Sequence, residues 1–123
     1  MNKKSQFKFY RLIQHIDHNS RSGNKEGYCK CYPNNSDEHE DVKWAIFKKL
    51  KKQGYSVYSE CKFVGDAGRA DLIAFSKKGD GYIIEVGVSE SLESYNKKLN
   101  KYPLEFEMVF VDGKNFDIHK WDL

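Results

Sequence analysis

GRADLIAFSKKGDGYIIEVGVSES, residues 68–91, is the stretch of sequence that decides the fold. Residues 69–75 and 82–88 are largely apolar, as strands buried in a core are, and residues 76–81 between them have the glycines and Asp of a turn. Each predicted strand nevertheless carries one carboxylate in its middle, Asp71 and Glu85. If the two strands pair as a hairpin, both carboxylates can lie on one face near the same end.

Buried carboxylates of this kind need compensation. An isolated buried carboxylate costs several kcal/mol unless it is paired or binds a metal. Two that lie close together repel each other, and a divalent cation between them removes the repulsion. Hard oxygen ligands suit Mg²⁺ or Mn²⁺. The alternative is that Asp71 and Glu85 form salt bridges, with Arg69 or Lys62 as partners.

Length and composition indicate one soluble globular domain. The chain has 123 residues, of which 32% are charged and 15% aromatic. No apolar run approaches the ~20 residues of a membrane helix, and the N-terminal stretch lacks the apolar core of a signal peptide. We therefore expect no membrane association and a cytoplasmic, reducing location. The net charge of +3 permits nucleic-acid binding without requiring it.

Hydrophobic periodicity and turn residues predict the other elements. Residues 6–16 fit either a helix or a strand. The remaining predictions, in chain order, are a helix at 37–53 capped by Ser36 or Asp37, a strand at 54–64, a helix at 89–101, a strand at 105–111, a hairpin turn at Asp112 and Gly113, and a return strand at 115–119.

The predicted helix at 37–53 has an apolar stripe of Val42, Ile46 and Leu50. His39 and Lys43 are four residues apart, so they stack one turn above the other on or beside this stripe. Both side chains are therefore expected to turn inward.

Cys29 and Cys31 raise the question of a zinc site. Structural zinc sites usually have Cys-x₂-Cys or Cys/His pairs, whereas these residues have the spacing Cys-x-Cys. We expect ordinary thiols at the edge of the core, with Cys61 inside a strand. A small zinc-stabilised interaction protein is the weaker alternative.

The carboxylate pattern resembles the PD-(D/E)XK nuclease superfamily, whose core is a strand with Asp, a turn, and a strand with Glu-x-Lys. Ala70-Asp71 stands at the Pro-Asp position, and Glu85-Val86-Gly87 stands at the Glu-x-Lys position, so that Gly87 replaces the Lys. Residues 36–112 also resemble the nuclease-like domain of the competence protein CoiA and its small archaeal or viral relatives. In those chains a Glu-His-x-x-x-Lys helix precedes a strand Glu, an Arg-Ala-Asp and an Ile-Glu.

The resemblance implies one α/β domain over residues 1–123. Its restriction-endonuclease-like core would span about residues 36–112, after an N-terminal extension of residues 1–35. The core would have a mixed central β-sheet flanked by helices, in the order α-β-β-β-α-β. The implied activity is metal-dependent hydrolysis of DNA phosphodiester bonds, with a homodimer as a possible assembly by analogy.

The resemblance also assigns roles to residues. Asp71, Glu85 and the backbone carbonyl of Val86 would hold Mg²⁺ or Mn²⁺. Glu60 would bind a second cation or a metal-bound water, and His39 would orient a water or contact phosphate. The alternative for His39 is a satisfied histidine at the edge of the core.

Gly87 leaves the positive charge beside the phosphate to another residue. Lys43 is the first choice, because the CoiA-like pattern carries a Lys there, and Lys62 and Lys98 follow. Lys62, Arg69 and Lys98 are also the predicted nucleic-acid contacts, although Lys62 fits an ordinary exposed strand cation as well. The alternative function is a degenerate nuclease-fold module that binds nucleic acid or a protein partner without cleavage.

Overall fold

A computed structural model describes residues 2–65, 67–88 and 92–123 of the chain, except for the side chain of Leu92. Its elements, in chain order, are helices α1 (Lys3–Ile13) and α2 (Asp37–Lys52), strands β1 (Ser56–Lys62), β2 (Arg69–Phe75) and β3 (Gly81–Gly87), helix α3 (Leu92–Lys101), strand β4 (Glu107–Asp112) and a 3₁₀ helix (Gly113–Asn115). The strands form one sheet in the order β1-β2-β3-β4, in which only the β3–β4 pair is parallel. The predicted α/β class with a mixed sheet is confirmed.

One face of the sheet packs against α2. The helix begins where predicted, because the Ser36 side chain accepts a hydrogen bond from the His39 N–H at 3.1 Å. The predicted apolar stripe is buried against this face of the sheet; its members are Val42, Ile46 and Leu50, which pack with Val57, Leu72 and Ile84. This packing fixes the N-terminus of α2 at one end of the sheet.

The other face packs against α1 and α3. Residues 3–13 are helical, which settles the ambiguity of the sequence pattern there. Leu12 is buried, whereas Phe7 is 72% exposed. Tyr95 of α3 lies over Phe110 of β4, with ring centroids 4.6 Å apart. The chain preceding α2 therefore contributes to the same sheet core as the predicted nuclease-like segment.

The predicted β2–β3 hairpin is present: β2 has the predicted bounds, and β3 begins and ends one residue earlier than predicted. Ser76 N–H donates to the Asp80 carbonyl at 2.9 Å, and Asp80 N–H donates to Ser76 Oγ at 3.0 Å. Gly79 has φ 87°, a left-handed conformation that favours glycine. Local turn chemistry thus sets the register of the hairpin, and the register sets which residues face each other at its far end.

The predicted return strand at 115–119 is wrong. The Asp112 side chain accepts a hydrogen bond from the Lys114 N–H at 3.0 Å, which starts a 3₁₀ helix instead of a hairpin. Beyond it, Phe116 and Trp121 pack against the α2 face of the sheet. Burial of these aromatic side chains therefore outweighs the local hairpin signal.

Two further observations bear on the predictions. The predicted helix at 89–101 begins at Leu92 in the structure, and residues 89–91 lie outside the described part of the chain. In the described ranges, no helix combines the length and the apolar character needed to cross a membrane.

Candidate functional site

The open end of the β2–β3 hairpin brings the two carboxylates together. In the described chain, the ladder runs from the Phe75–Gly81 pair to the Leu72–Ile84 pair and ends there. Asp71 and Glu85 are the next positions in this register, so they oppose each other. Asp71 Oδ2 accepts a hydrogen bond from the Val86 N–H at 2.8 Å. The carboxylate thus takes the place that a ladder bond would otherwise have.

Simple strand alternation does not describe this end of the sheet. Alternation places Asp71 with Ile73 and Phe75, which lie on the face covered by α1. Asp71 instead contacts His39 of α2, on the opposite side. This departure from alternation occurs next to Glu60 of β1, the position opposite Asp71 in the β1–β2 register. Glu60 has a left-handed backbone, with a φ of 44°. Asp71 therefore lies toward the N-terminus of α2, next to a strained backbone position on the neighbouring strand.

Asp71 is held in its ionised form. His39 Nε2 lies 3.1 Å from Asp71 Oδ2. Burial raises the pKa of Asp71, but the hydrogen bonds to His39, Glu85 and the Val86 N–H lower it more, so that the net pKa is below its usual range. For His39, burial lowers the pKa, and the hydrogen bond and charge of Asp71 outweigh it, so that the net pKa is raised. The pair is therefore an anion beside a readily protonated imidazole.

Glu85 has the opposite character. Its Oε1 accepts a hydrogen bond from the Tyr102 hydroxyl, which lies 2.8 Å from the Arg69 carbonyl as well. Its Oε2 is buried and has no hydrogen-bond partner within the described structure. Burial, together with the charge and hydrogen bond of Asp71, raises the pKa of Glu85 to about 9. A group with this raised pKa holds a proton at neutral pH.

A cleft of about 440 Å³ opens onto Asp71 and His39, and we call it the carboxylate cleft. Its described lining residues come from the loop before α2, from α2 itself, from β2 and β3, and from α3; they are Asn34, Asn35, Ser36, His39, Asp71, Val86, Gly87, Val88 and Lys98. The N-terminus of α2 faces the cleft and favours anions. The cleft therefore has one carboxylate, Asp71, in its lining, with Lys98 and the N-terminus of α2 as sources of positive potential, and Glu85 lies buried beneath it.

Lys98, and not Lys43, is the lysine that lines this cleft. Its charge lowers the pKa of Glu85, although less than burial and Asp71 raise it. Lys43 is fully buried, and its ammonium donates to the Lys30 carbonyl at 2.7 Å and lies 2.8 Å from Glu40 Oε2. Lys43 is therefore one partner of a buried ion pair with Glu40 and does not face a ligand in the cleft.

Glu60 and Arg69 border the site without entering the cleft lining. Glu60 Oε2 lies 3.4 Å from Lys43 Nζ, and Glu60 Oε1 lies 3.7 Å from Arg69 Nε. The Arg69 guanidinium also stacks over the Tyr32 ring at 4.0 Å from its centroid. Lys62 is exposed and pairs with Arg69 across the β1–β2 ladder. The structure thus separates the predicted residues into a carboxylate pair and a basic flank.

The chemistry of the donor set fits a hard cation. The buried Glu85 carboxyl lies beside the Asp71 carboxylate, with which it shares a hydrogen bond, and both groups belong to the oxygen class that Mg²⁺ and Mn²⁺ prefer. Among the described residues, no set of three or more His, Cys, Asp and Glu side chains is arranged to hold a metal. A cation at Asp71 and Glu85 would therefore need further ligands from the Val86 carbonyl or from water.

The two N-terminal cysteines lie apart from these carboxylates. Cys29 is half-buried and Cys31 is exposed, and both are free thiols. Burial raises the pKa of Cys29, more than the charge of Lys43 lowers it. They line a pocket of about 220 Å³ together with Glu40, Asp41 and Trp44.

Sequence reasoning missed Tyr102 and the Asn34–Asn35 segment. Tyr102 follows α3 and is buried against Phe63, with ring centroids 5.2 Å apart. Tyr102 lies beside Glu85 because the chain crosses over from β3 through α3. No local sequence pattern predicts this contact. Asn35 donates to Glu40 Oε1 at 2.7 Å, which is a cap-like contact that the Ser36 signal could have indicated.

Comparisons with protein-family models, with curated proteins and with solved structures gave no match.

Proposed function

We propose that this chain is a divalent-metal-dependent nuclease that hydrolyses phosphodiester bonds of DNA, built on a restriction-endonuclease-like core. The observation that carries the proposal is the opposed pair of Asp71 and the buried Glu85 at the open end of the hairpin, of which Asp71 lines a cleft with Lys98 on its wall. Perturbed carboxylates in a cleft mark candidate sites of this chemistry.

The proposed roles follow from the contacts. Asp71 and Glu85 would hold Mg²⁺ or Mn²⁺, which supplies an activated water and neutralises charge on the phosphate oxygens. Tyr102 orients Glu85 through the hydrogen bond to Oε1. Lys98 and the N-terminus of α2 place positive charge where the phosphate enters. His39 fixes Asp71 and keeps Nδ1 available for a proton.

Lys98 takes the role that the resemblance gives to the missing Lys. Gly87 lines the same cleft and brings no charge to it. A lysine from α3 can therefore reach the space beside Glu85 without a clash with a side chain at position 87. This assignment replaces Lys43, whose ammonium is already bound by Glu40 and the Lys30 carbonyl.

The direct test compares the wild type with Asp71→Asn. We expect calorimetry to show Mn²⁺ binding that the variant loses, and labelled DNA to be cut in Mg²⁺ or Mn²⁺ by the wild type alone. Asp117→Asn is the matched control, because Asp117 is exposed and lies outside the carboxylate cleft. Equal Mn²⁺ binding by the wild type and Asp71→Asn would refute the proposal.

The second candidate function is binding without cleavage. The observation that favours it is Gly87, since β3 itself supplies no cation beside the carboxylates. Wild-type protein that binds single-stranded, duplex or branched DNA and cuts none of them with either metal would support this alternative.

A further inference from the structure

A second cleft, of about 430 Å³, has lining residues that are near those of the carboxylate cleft along β2 and α3. Among its described lining residues, Lys62, Arg69 and Lys101 carry positive charge and Asp17 carries negative charge. Lys62 and Lys101 are exposed, and the Asp17 carboxylate accepts a hydrogen bond from the Asn19 N–H of its own loop at 2.9 Å. We call this surface the basic cleft. Its charge suits a polyanion.

The two clefts follow each other along both α3 and β2. Lys98 lines the carboxylate cleft and Lys101 lines the basic cleft. These residues are one helical turn apart, about 5–6 Å between Cβ atoms. On β2, Asp71 lines the carboxylate cleft and Arg69 lines the basic cleft. These two residues are about 6.6 Å apart along the strand. One extended ligand can therefore occupy both clefts.

Arg69 lines the basic cleft and lies two residues before Asp71 on β2. Its guanidinium is held by the Tyr32 ring and by Glu60 Oε1 at 3.7 Å. A guanidinium fixed in this way is pre-organised for a phosphate, because little side-chain freedom is lost on binding. The Tyr102 hydroxyl contacts both the Arg69 carbonyl and Glu85. It therefore connects the backbone at Arg69 to one of the two carboxylates proposed to bind the metal.

We propose that the basic cleft binds phosphates of the same nucleic-acid strand whose scissile bond lies in the carboxylate cleft. This inference rests on the proposed function, and it specifies that the strand continues past the reacting bond over Arg69. The ligand is a phosphodiester backbone, because regularly spaced anions match cations that lie one helical turn apart, as Lys98 and Lys101 do, or opposite each other on neighbouring strands, as Lys62 and Arg69 do. An acidic peptide is the competing ligand that the test must exclude.

The experiment measures binding of a fluorescein-labelled single-stranded oligonucleotide by anisotropy, in EDTA to prevent cleavage, over a series of NaCl concentrations. The variant is Lys62→Ala/Lys101→Ala. The slope of log K against log salt is negative, and the loss of two phosphate contacts should reduce its magnitude by about 1.4. Binding should weaken by about 25-fold at 0.1 M salt. The control, Lys77→Ala/Lys78→Ala, removes the same charge from the exposed β2–β3 turn and should leave the slope unchanged.

Each outcome bears on the proposal. Equal changes in the two double variants would show a general charge effect and overturn it. Displacement of the oligonucleotide from the wild type by poly-glutamate, at the same concentration of charge, would also overturn the proposal. The same holds if the wild type does not bind the oligonucleotide. If the slope falls as expected and the wild type does not cut DNA with Mn²⁺, the basic cleft stands and the nuclease proposal falls. In an active protein, the Lys62→Ala/Lys101→Ala variant should raise KM and leave kcat unchanged.

Discussion

Glu85→Gln should make the metal-free protein less sensitive to rising pH. The folded state keeps a proton on Glu85 up to a pKa of about 9, because burial and the charge of Asp71 disfavour the anion. The unfolded chain loses this proton near its ordinary value of about 4.3. Between these two values the folded state binds the extra proton, so the free energy of unfolding falls as pH rises, by up to about 1.4 kcal/mol per pH unit. Glutamine copies the neutral carboxyl and lacks this dependence.

The assay is urea denaturation of the wild type and Glu85→Gln at pH 6, 7 and 8. We expect the variant to gain about 3 kcal/mol relative to the wild type between pH 6 and 8. His39, whose raised pKa also makes stability fall with rising pH in this range, is present in both proteins and largely cancels. Parallel pH dependences in the two proteins would refute the reasoning about Glu85. With Mn²⁺, only the wild type should gain more stability at pH 8 than at pH 6, because the cation replaces the proton.

Three other variants test the site. Lys98→Ala should lower the rate of DNA cleavage by about 10²–10³-fold with an unchanged thermal midpoint. The double variant Lys98→Ala/Gly87→Lys should recover part of that rate. Undiminished cleavage by Lys98→Ala would contradict the role of Lys98. Lys43→Met should destabilise the fold by about 3–5 kcal/mol in urea, because Glu40 and Glu60 lose their buried partner; a stable but inactive variant would instead favour a direct role in the cleft. Tyr102→Phe should weaken Mn²⁺ binding by about 10–100-fold in calorimetry with the fold retained, because Glu85 loses its orienting hydroxyl; unchanged affinity would contradict this.

Several predictions from the sequence agree with the structure because they depend on local patterns. The hairpin strands, the Ser36 cap of α2 and the inward face that carries His39 and Lys43 follow from turn residues, capping and helical periodicity. The opposition of Asp71 and Glu85 follows from hairpin register, which the short turn fixes. These features need few contacts distant in sequence.

The lysine beside the carboxylates was decided by tertiary structure. Helical periodicity turns Lys43 inward, and it cannot show that Glu40 and Glu60 already hold its ammonium there. Lys98 reaches the cleft because α3 crosses over the sheet, between β3 and the parallel strand β4. A crossover of this kind brings together residues that no sequence spacing relates.

The sequence by itself determined the β2–β3 hairpin and the two carboxylates on it, since two short apolar runs and the glycine-containing turn between them specify both. Only the tertiary structure decided how the end of the sheet is arranged. The left-handed backbone at Glu60 and the contact with His39 turn Asp71 away from the face that alternation assigns to it. Tyr102 reaches Glu85 from a different element. The physical reason is that strain and buried polar contacts are balanced over the whole core, whereas propensity acts over a few neighbouring residues.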